Sequence, residues 1–180
     1  MRSGSRVRGG AAPAAPVHRR GPARGYRRGV HFTEYDTRFA AYAVIVDDQD
    51  QMLLTWYNGS GYDPACWSLP GGGVHFDESV QDAVVREVRE ESGYWVEVGR
   101  PLTVHHFAHN GEGRAGRPFK TVRLFFEATI TGGALGTLEV GGSTDFAEWV
   151  PLDRVPELTP CADLVAFAYD ELTKARQAGT

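Results

Sequence analysis

Residues 69–95 read LPGGGVHFDESVQDAVVREVREESGYW, and this stretch decides the fold. Ser79 is a good helix N-cap, and Gly93 stands where a glycine commonly ends a helix. Between them the sequence predicts one amphipathic helix with three acids near its C-terminus, Glu87, Glu90 and Glu91. Like charges three and four residues apart weaken a helix, and acids near the C-terminus oppose the helix dipole. The position of these acids therefore requires an explanation.

A helical wheel indicates where the acids point. One apolar stripe of the predicted helix contains Val80, Ala83, Val84 and Val88. Relative to the first of these, Glu87 falls at about −20°, Glu91 at about +20° and Glu90 at about −80°. We therefore expect all three acids to continue the stripe and to point toward the protein. Clustered inward carboxylates carry repulsion and desolvation costs unless cations neutralise them. Oxygen ligands select hard ions, so the pattern predicts a site for Mg²⁺ or Mn²⁺.

The glycines at residues 71–73 stand between a predicted strand and the helix. Glycine lets the backbone approach a ligand or an ion closely. A glycine-rich loop alone is a weak signal, since three glycines also occur in simple turns. When inward-pointing acids follow the glycine-rich loop at fixed spacing, the combined pattern becomes a strong signal for a ligand or ion site.

The whole pattern resembles the Nudix box, GX5EX7REUXEEXGU. Gly72 is followed after five residues by Glu78, and after seven more by REVREESG at residues 86–93. Every fixed Gly, Glu and Arg position matches, and only the final aliphatic position differs, since it holds Tyr94. Weaker matches, WSLPGG and EWVPL, extend the similarity over most of residues 38–178.

The resemblance implies an α/β/α sandwich with a mixed sheet and a glycine-loop–helix unit. It implies hydrolysis of the pyrophosphate linkage in a nucleoside diphosphate linked to a moiety X, by water attack on phosphorus. Glu78 matches a box acid that supports the site and pairs with Arg86. Mg²⁺ or Mn²⁺ is the implied cofactor, with three carboxylates and commonly one carbonyl as ligands: Glu87, Glu90, Glu91 and Gly72.

The general base is left open. Members of the family use either a box glutamate, here Glu91 or Glu90, or an acid from a loop outside the box. Glu112 in NGEGRAGRP, residues 110–118, is the loop candidate, although a solvated loop acid is the simpler interpretation. The same part of the chain offers three cations as candidates to hold phosphate or X, Arg114, Arg117 and Lys120.

Strand patterns surround the box. They cover residues 39–48, 51–59, 65–70, 96–109, 119–130 and 146–152. Residues 161–177 predict a closing amphipathic helix. Strands outnumber helices in this prediction, and the resemblance to the Nudix family implies that residues 38–178 form one α/β domain.

The formal net charge of −4 conceals a division along the chain. Residues 1–30 contain eight arginines and no acid, so the remaining residues carry −12. The Arg-, Gly-, Pro- and Ala-rich residues 1–37 predict a disordered tail, because they cannot bury enough apolar surface to offset the entropy of ordering. An acidic body binds nucleic acid poorly without sequence specificity, so nucleic acid is not expected as a partner.

Cellular setting and partners follow from what the sequence contains. Cys66 and Cys161 are far apart and lack CxxC spacing, which indicates a reduced, cytoplasmic chain. No apolar run is long enough for a membrane span. The expected partner is a small nucleotide-diphosphate substrate, and a homodimer is left open.

Two other functions compete: a nucleotide-sensing Nudix-fold module without catalysis, and an RNA-cap-type pyrophosphohydrolase that uses the basic tail. The intact acids disfavour the first, and the acidic body disfavours the second.

Overall fold

A computed structural model describes residues 29–59, 64–109, 117–138 and 140–178, without the side chain of residue 109. The chain divides into two units, Met1–His31 and Phe32–Thr180, and every element named below belongs to the second. Residues 1–28 of the predicted tail lie outside the described residues, so their disorder stays a prediction. Asp36 and Thr37, at the end of that predicted tail, form the start of the first strand.

The described residues contain strands and helices in an α/β order. Along the chain these are β1 (Asp36–Val44), β2 (Gln51–Tyr57), β3 (Cys66–Ser68), β4 (Gly71–Gly73), α1 (Val80–Ser92), β5 (Tyr94–His109), β6 (Phe119–Gly133), β7 (Thr144–Pro151), a 3₁₀ helix (Leu152–Glu157) and α2 (Asp163–Ala178). The predicted α/β class is confirmed, and a helix follows the glycines as predicted. The sequence patterns did not predict β4 or the 3₁₀ helix.

Two sheets form the framework. One has the order β4-β1-β6-β5, and the other has the order β3-β2-β7. In the larger sheet β1 runs parallel to β6, whereas β4 pairs antiparallel with β1 and β5 antiparallel with β6. The larger sheet is therefore mixed, as predicted.

Strand β1 separates two cores. Ala40, Tyr42 and Val44 join a core that contains the buried face of α2, whereas Ala41 and Ala43 join a core that contains Val84 and Val88 of α1. Side chains of a strand alternate between faces, and a strand that is covered on both faces reads as a continuous apolar run. This is why FAAYAV shows no polar alternation, and it places α1 and α2 on opposite faces of the sheet.

The glycines before α1 form strand β4 instead of an open loop. Gly71 pairs with Tyr42, and Gly73 pairs with Ala40. Gly71 has a φ of +144°, and a Cβ there would lie 2.6 Å from the Tyr42 Cα. Only glycine therefore brings this backbone close enough to β1. The pairing fixes the three glycines against the central strand, next to the acidic end of α1.

Both ends of α1 follow the sequence prediction. The Asp82 N–H donates to Ser79 Oγ at 3.1 Å, which caps the N-terminus. Gly93 has a φ of 75°, and its N–H donates to the Arg89 carbonyl, which ends the helix. Because both caps are local, the acids occupy the last turns of the helix as expected.

Candidate active site

Glu91 is the most deeply placed of the three acids. It is 6% exposed, as the helical wheel predicts. Its Oε2 accepts the Gly71 N–H at 2.9 Å, and its Oε1 accepts the Thr144 hydroxyl at 2.6 Å. One carboxylate thereby connects α1 to β4 and to β7. Donors to a carboxylate stabilise its charged form, which makes burial of this acid tolerable.

Glu87 lies against the glycine strand. Its side chain is 16% exposed. A Cβ built on Gly72 would lie 2.5 Å from Glu87 Oε1 and 2.8 Å from the carboxyl carbon. Glycine at position 72 is therefore required for this carboxylate to occupy its place.

Glu90 differs from the expectation that all three acids point inward. Its side chain is 44% exposed. The physical reason is its angle on the wheel, about −80° from the apolar stripe, which places it at the border of the buried face. Glu90 therefore exposes part of its carboxylate to solvent, whereas the other two acids are more buried.

Arg86 is the shared partner of the acidic residues. Its guanidinium donates to both oxygens of Glu78, at 2.7 and 3.0 Å. Its Nη1 lies 2.9 Å from Glu87 Oε1 and 3.1 Å from Glu90 Oε2. Its Nη2 also donates to the Gly73 carbonyl at 3.1 Å. The pairing with Glu78 was predicted, whereas the contacts with the other two acids were not. One partly buried positive charge thus offsets the repulsion that the sequence implies.

The electrostatics of the Arg86–Glu78 pair follow from its geometry. The hydrogen bond from Arg86 lowers the pKa of Glu78 to about 2, against an opposing effect of desolvation. The backbone N–H of His75, at 2.8 Å, lowers it further. The hydrogen bond with Glu78 likewise raises the pKa of Arg86. Both groups are therefore charged at neutral pH.

The C-terminus of α1 is closed by the segment at residues 136–138. Each of the last four helix carbonyls accepts a hydrogen bond, which is unusual because these groups lack partners within the helix. The pairs are Gly93 N–H to Arg89 at 3.1 Å, Leu138 N–H to Glu90 at 2.8 Å, Thr137 hydroxyl to Glu91 at 3.1 Å, and Gly136 N–H to Ser92 at 3.0 Å. These donors weaken the negative end of the helix dipole, so acids in the last turns are less unfavourable.

The predicted loop residues are only partly described. Glu112 and Arg114 lie outside the described residues. Arg117 donates to the Thr33 carbonyl at 3.0 Å and lies 3.5 Å from Asp36. Lys120 is in β6, opposite Ala108 of β5. The contacts of Arg117 connect it to the chain just before β1, and a role for these cations in binding phosphate stays a prediction.

The carboxylates of the site bear on its fit to a divalent cation. Among the residues that the structure describes, no group of three or more His, Cys, Asp or Glu side chains is arranged to hold a metal ion. Glu87 and Glu90 converge instead on Nη1 of Arg86, which is a positive group that they share, whereas Glu91 accepts from Gly71 and Thr144. The donor set consists of oxygens, which suits Mg²⁺ or Mn²⁺. By donor chemistry and by this shared positive charge, the residues fit a hard cation.

Sequence patterns did not identify Thr137 or Thr144. Thr144 is 53 positions from Glu91 along the chain, and Thr137 is 46 positions from it. Neither residue belongs to a motif with the acids, and no local pattern marks them. A signal for either would require knowing how β6 and β7 approach α1.

Comparison with known proteins decides the family. A family model described as the NUDIX domain matches residues 36–169. The chain belongs to the Nudix family. The match includes the whole box and the strands that position it.

Individual proteins that are similar to this chain support the assignment to the Nudix family. An ADP-ribose pyrophosphatase of Methanocaldococcus jannaschii is 30% identical over 135 residues, which are 73% of this chain and 71% of that protein. The YjhB protein of Bacillus subtilis is 36% identical over 97 residues, which are 52% of this chain. That match covers 43% of YjhB, so this chain spans less than half the length of that relative. Among solved structures, the MutT NUDIX hydrolase from Burkholderia pseudomallei has a TM-score of 0.61 at 27% identity, covering 76% of this chain and 98% of that one.

Nudix membership confirms the predicted family and the predicted enzyme class, a hydrolase that acts on pyrophosphate bonds. The family generally uses a divalent metal ion. Within the described part of the chain, no helix is long and apolar enough to cross a membrane. The roles of the individual residues, the metal and the substrate stay predictions.

Proposed function

We propose that this Nudix chain hydrolyses the pyrophosphate linkage of a nucleoside diphosphate linked to a moiety X, with Mg²⁺ or Mn²⁺ as cofactor and water attacking phosphorus. The observation that carries the proposal is the placement of Glu87 and Glu90 around one shared positive charge, with the Glu87 carboxylate directly against Gly72. A pyrophosphate repels an attacking hydroxide, so a site that cleaves it must supply positive charge next to a water. Acids gathered at a glycine strand suit the binding of cations that supply this charge.

The ligands of the cation would be the three box carboxylates and one carbonyl, Glu87, Glu90, Glu91 and Gly72. When bound, Mg²⁺ or Mn²⁺ neutralises phosphate charge and lowers the pKa of a bound water. Arg86 and Glu78 hold the segment between β4 and α1 in place, since their bidentate ion pair joins α1 to that segment. Oxygens on rigid elements are suited to hold a cation with little reorganisation.

Glu90 is the box acid that we propose as general base. It is the most exposed of the three, so water reaches its oxygens. Both oxygens of the buried Glu91 accept hydrogen bonds from the protein, so water reaches this carboxylate less readily than it reaches Glu90. Glu112 is the competing candidate from outside the box.

ADP-ribose is the substrate that we propose to test first. The Methanocaldococcus jannaschii relative, which matches 73% of this chain, is an ADP-ribose pyrophosphatase. Hydrolysis of ADP-ribose at its pyrophosphate would give AMP and ribose 5-phosphate. We propose a cytoplasmic location for this reaction, as the sparse and widely separated cysteines indicate.

The test is a substrate panel with the full chain. ADP-ribose, NADH, nucleoside triphosphates, dinucleoside polyphosphates and capped RNA are incubated separately with Mg²⁺ or Mn²⁺, and products are separated by chromatography. The Glu90→Gln variant and an EDTA-treated sample are the controls. We expect cleavage at the pyrophosphate that both controls abolish. Binding of nucleotides without cleavage would favour the sensing module, and selective cleavage of capped RNA would favour the RNA-cap alternative.

A further inference from the structure

The start of β7 contains a register shift that changes the direction of one side chain. Along β2, Trp56 pairs with Phe146, and the next residue, Tyr57, pairs with Thr144. One step on β2 thus corresponds to two steps on β7, which is the count of a β-bulge. Neighbouring side chains on a strand point to opposite faces. Thr144, opposite Tyr57, therefore points away from the face of Phe146, whereas a regular strand would place both on one face.

Asn58 stabilises this bulge through hydrogen bonds. Its backbone N–H donates to the Ser143 carbonyl at 2.9 Å. Its side-chain amide donates to the Gly142 carbonyl and to Asp145 Oδ1, each at 3.0 Å. Two of these bonds hold backbone carbonyls just before Thr144, and the third holds the side chain of the residue after it, so both neighbours of Thr144 are tethered to Asn58. Bulges often redirect a side chain next to an active site.

The redirected hydroxyl meets a box acid. Thr144 is 5% exposed, and its Oγ1 donates to Glu91 Oε1 at 2.6 Å. The other oxygen of Glu91 accepts the Gly71 N–H. A glutamate side chain has three rotatable bonds, and two donors from two different strands restrict its carboxylate to one orientation. A carboxylate oxygen can accept more than one contact, so accepting one hydrogen bond does not by itself prevent it from acting as a metal ligand.

We propose that Thr144 is a positioning residue, which orients the Glu91 carboxylate for the divalent cation of the hydrolytic site. This inference rests on the proposed function, because it assigns Glu91 to that site. Partners that orient a metal ligand typically change metal affinity or activity by about 10- to 100-fold when they are removed. In this interpretation, the bulge and the hydrogen bonds of Asn58 serve to place the Thr144 hydroxyl next to the Glu91 carboxylate.

A simple packing role for Thr144 makes a different prediction. Thr144→Val keeps the size and the branched shape but removes the hydroxyl. Thr144→Ser keeps the hydroxyl but removes the methyl group. If the hydroxyl matters, the serine variant retains function and the valine variant loses it. If the methyl group matters, the order is reversed. Thr173→Val, the same change in α2, is the matched control, since the Thr173 hydroxyl donates within its own helix, to the Tyr169 carbonyl at 2.8 Å.

The experiment measures Mn²⁺ affinity by electron paramagnetic resonance titration, and kcat and KM with ADP-ribose. For Thr144→Val we expect Mn²⁺ affinity and kcat to fall by about 10- to 100-fold, with KM changed by less than about threefold. Thr144→Ser and Thr173→Val should remain within about threefold of the wild type. Melting temperatures verify that each variant is folded, and Thr144→Ala replaces the valine variant if valine does not fold.

Two results would overturn the role of Thr144. One is a Thr144→Val protein that matches the wild type in Mn²⁺ affinity and turnover. The other is a serine variant as impaired as the valine variant. Failure of the proposed function would give a different result from failure of the Thr144 role: the wild type would bind Mn²⁺ but cleave no substrate of the panel. In that case the Mn²⁺ affinities of the variants alone would decide the role of Thr144. A wild type that binds no Mn²⁺ would overturn both proposals.

Discussion

Replacing Gly72 with alanine should move one carboxylate and little else. The new Cβ would lie 2.5 Å from Glu87 Oε1, 2.8 Å from the carboxyl carbon and 3.0 Å from Oε2. Ordinary van der Waals contact begins near 3.4 Å, so the carboxylate must retreat by about 1 Å. A misplacement of about 1 Å at a catalytic site can reduce the rate about 10²-fold. Because the displaced group is the end of a flexible side chain, we expect a stability loss of about 1 kcal/mol or less.

The neighbouring glycines provide matched controls for this variant. A Cβ at Gly73 meets nothing within 4 Å, so Gly73→Ala should leave turnover and stability nearly unchanged. A Cβ at Gly71 meets the backbone of β1, which cannot retreat, and its φ of +144° strains any other residue. Gly71→Ala should therefore destabilise the fold by about 2–4 kcal/mol. Alanine substitutions at the three adjacent glycines should therefore differ in their effects on turnover and stability.

The assay pairs turnover of ADP-ribose, at saturating Mg²⁺, with the free energy of unfolding from urea titration. For Gly72→Ala we expect a loss of about 10²-fold in kcat in a protein as stable as the wild type within about 1 kcal/mol. Wild-type turnover in Gly72→Ala, or an equal loss of turnover in Gly73→Ala, would refute the claim that the Glu87 carboxylate must lie on Gly72.

Three further predictions concern the acids and the tail. Glu91→Gln should lower the free energy of unfolding by about 1–3 kcal/mol in urea titration, because its amide nitrogen must face one of two hydrogen-bond donors. The Arg86 bond holds the pKa of Glu78 near 2, so that bond stabilises the folded state above pH 4.5 and its effect disappears as the pH falls toward 2. The stability difference between wild type and Glu78→Gln should therefore be constant above pH 4.5 and shrink below it, and an unchanged difference at pH 3 would contradict this. Deleting residues 1–30 should leave melting temperature and ADP-ribose turnover nearly unchanged, and a large loss of either would show that the tail contributes to the domain.

The helix that carries the acids could be predicted because its determinants are local. Ser79 and Gly93 cap it through bonds of three and four residues' separation, and the valine stripe sets its buried face. The wheel also places Glu91 correctly. It fails for Glu90, because an angle of about −80° lies at the border of a buried face, where the neighbouring elements decide exposure.

Other parts of the site depend on contacts that no local pattern encodes. Strand β4 exists because three glycines meet β1, about 30 residues earlier in the chain, and glycine has low strand propensity on its own. Thr144 reaches Glu91 only because a bulge at the start of β7 turns it toward α1. The closure of the α1 C-terminus by residues 136–138 likewise requires the path of the chain after β6. In each case tertiary pairing determines the outcome.

The most direct test of the central claim is hydrolysis of ADP-ribose in ¹⁸O-labelled water, with mass spectrometry of the products. If water attacks phosphorus at the pyrophosphate, AMP or ribose 5-phosphate should carry one ¹⁸O on its phosphate, and EDTA should abolish the reaction. Cleavage that is insensitive to EDTA, or label on a ribose carbon instead of a phosphate, would contradict the account. Failure to cleave ADP-ribose or any other substrate of the panel would contradict it as well.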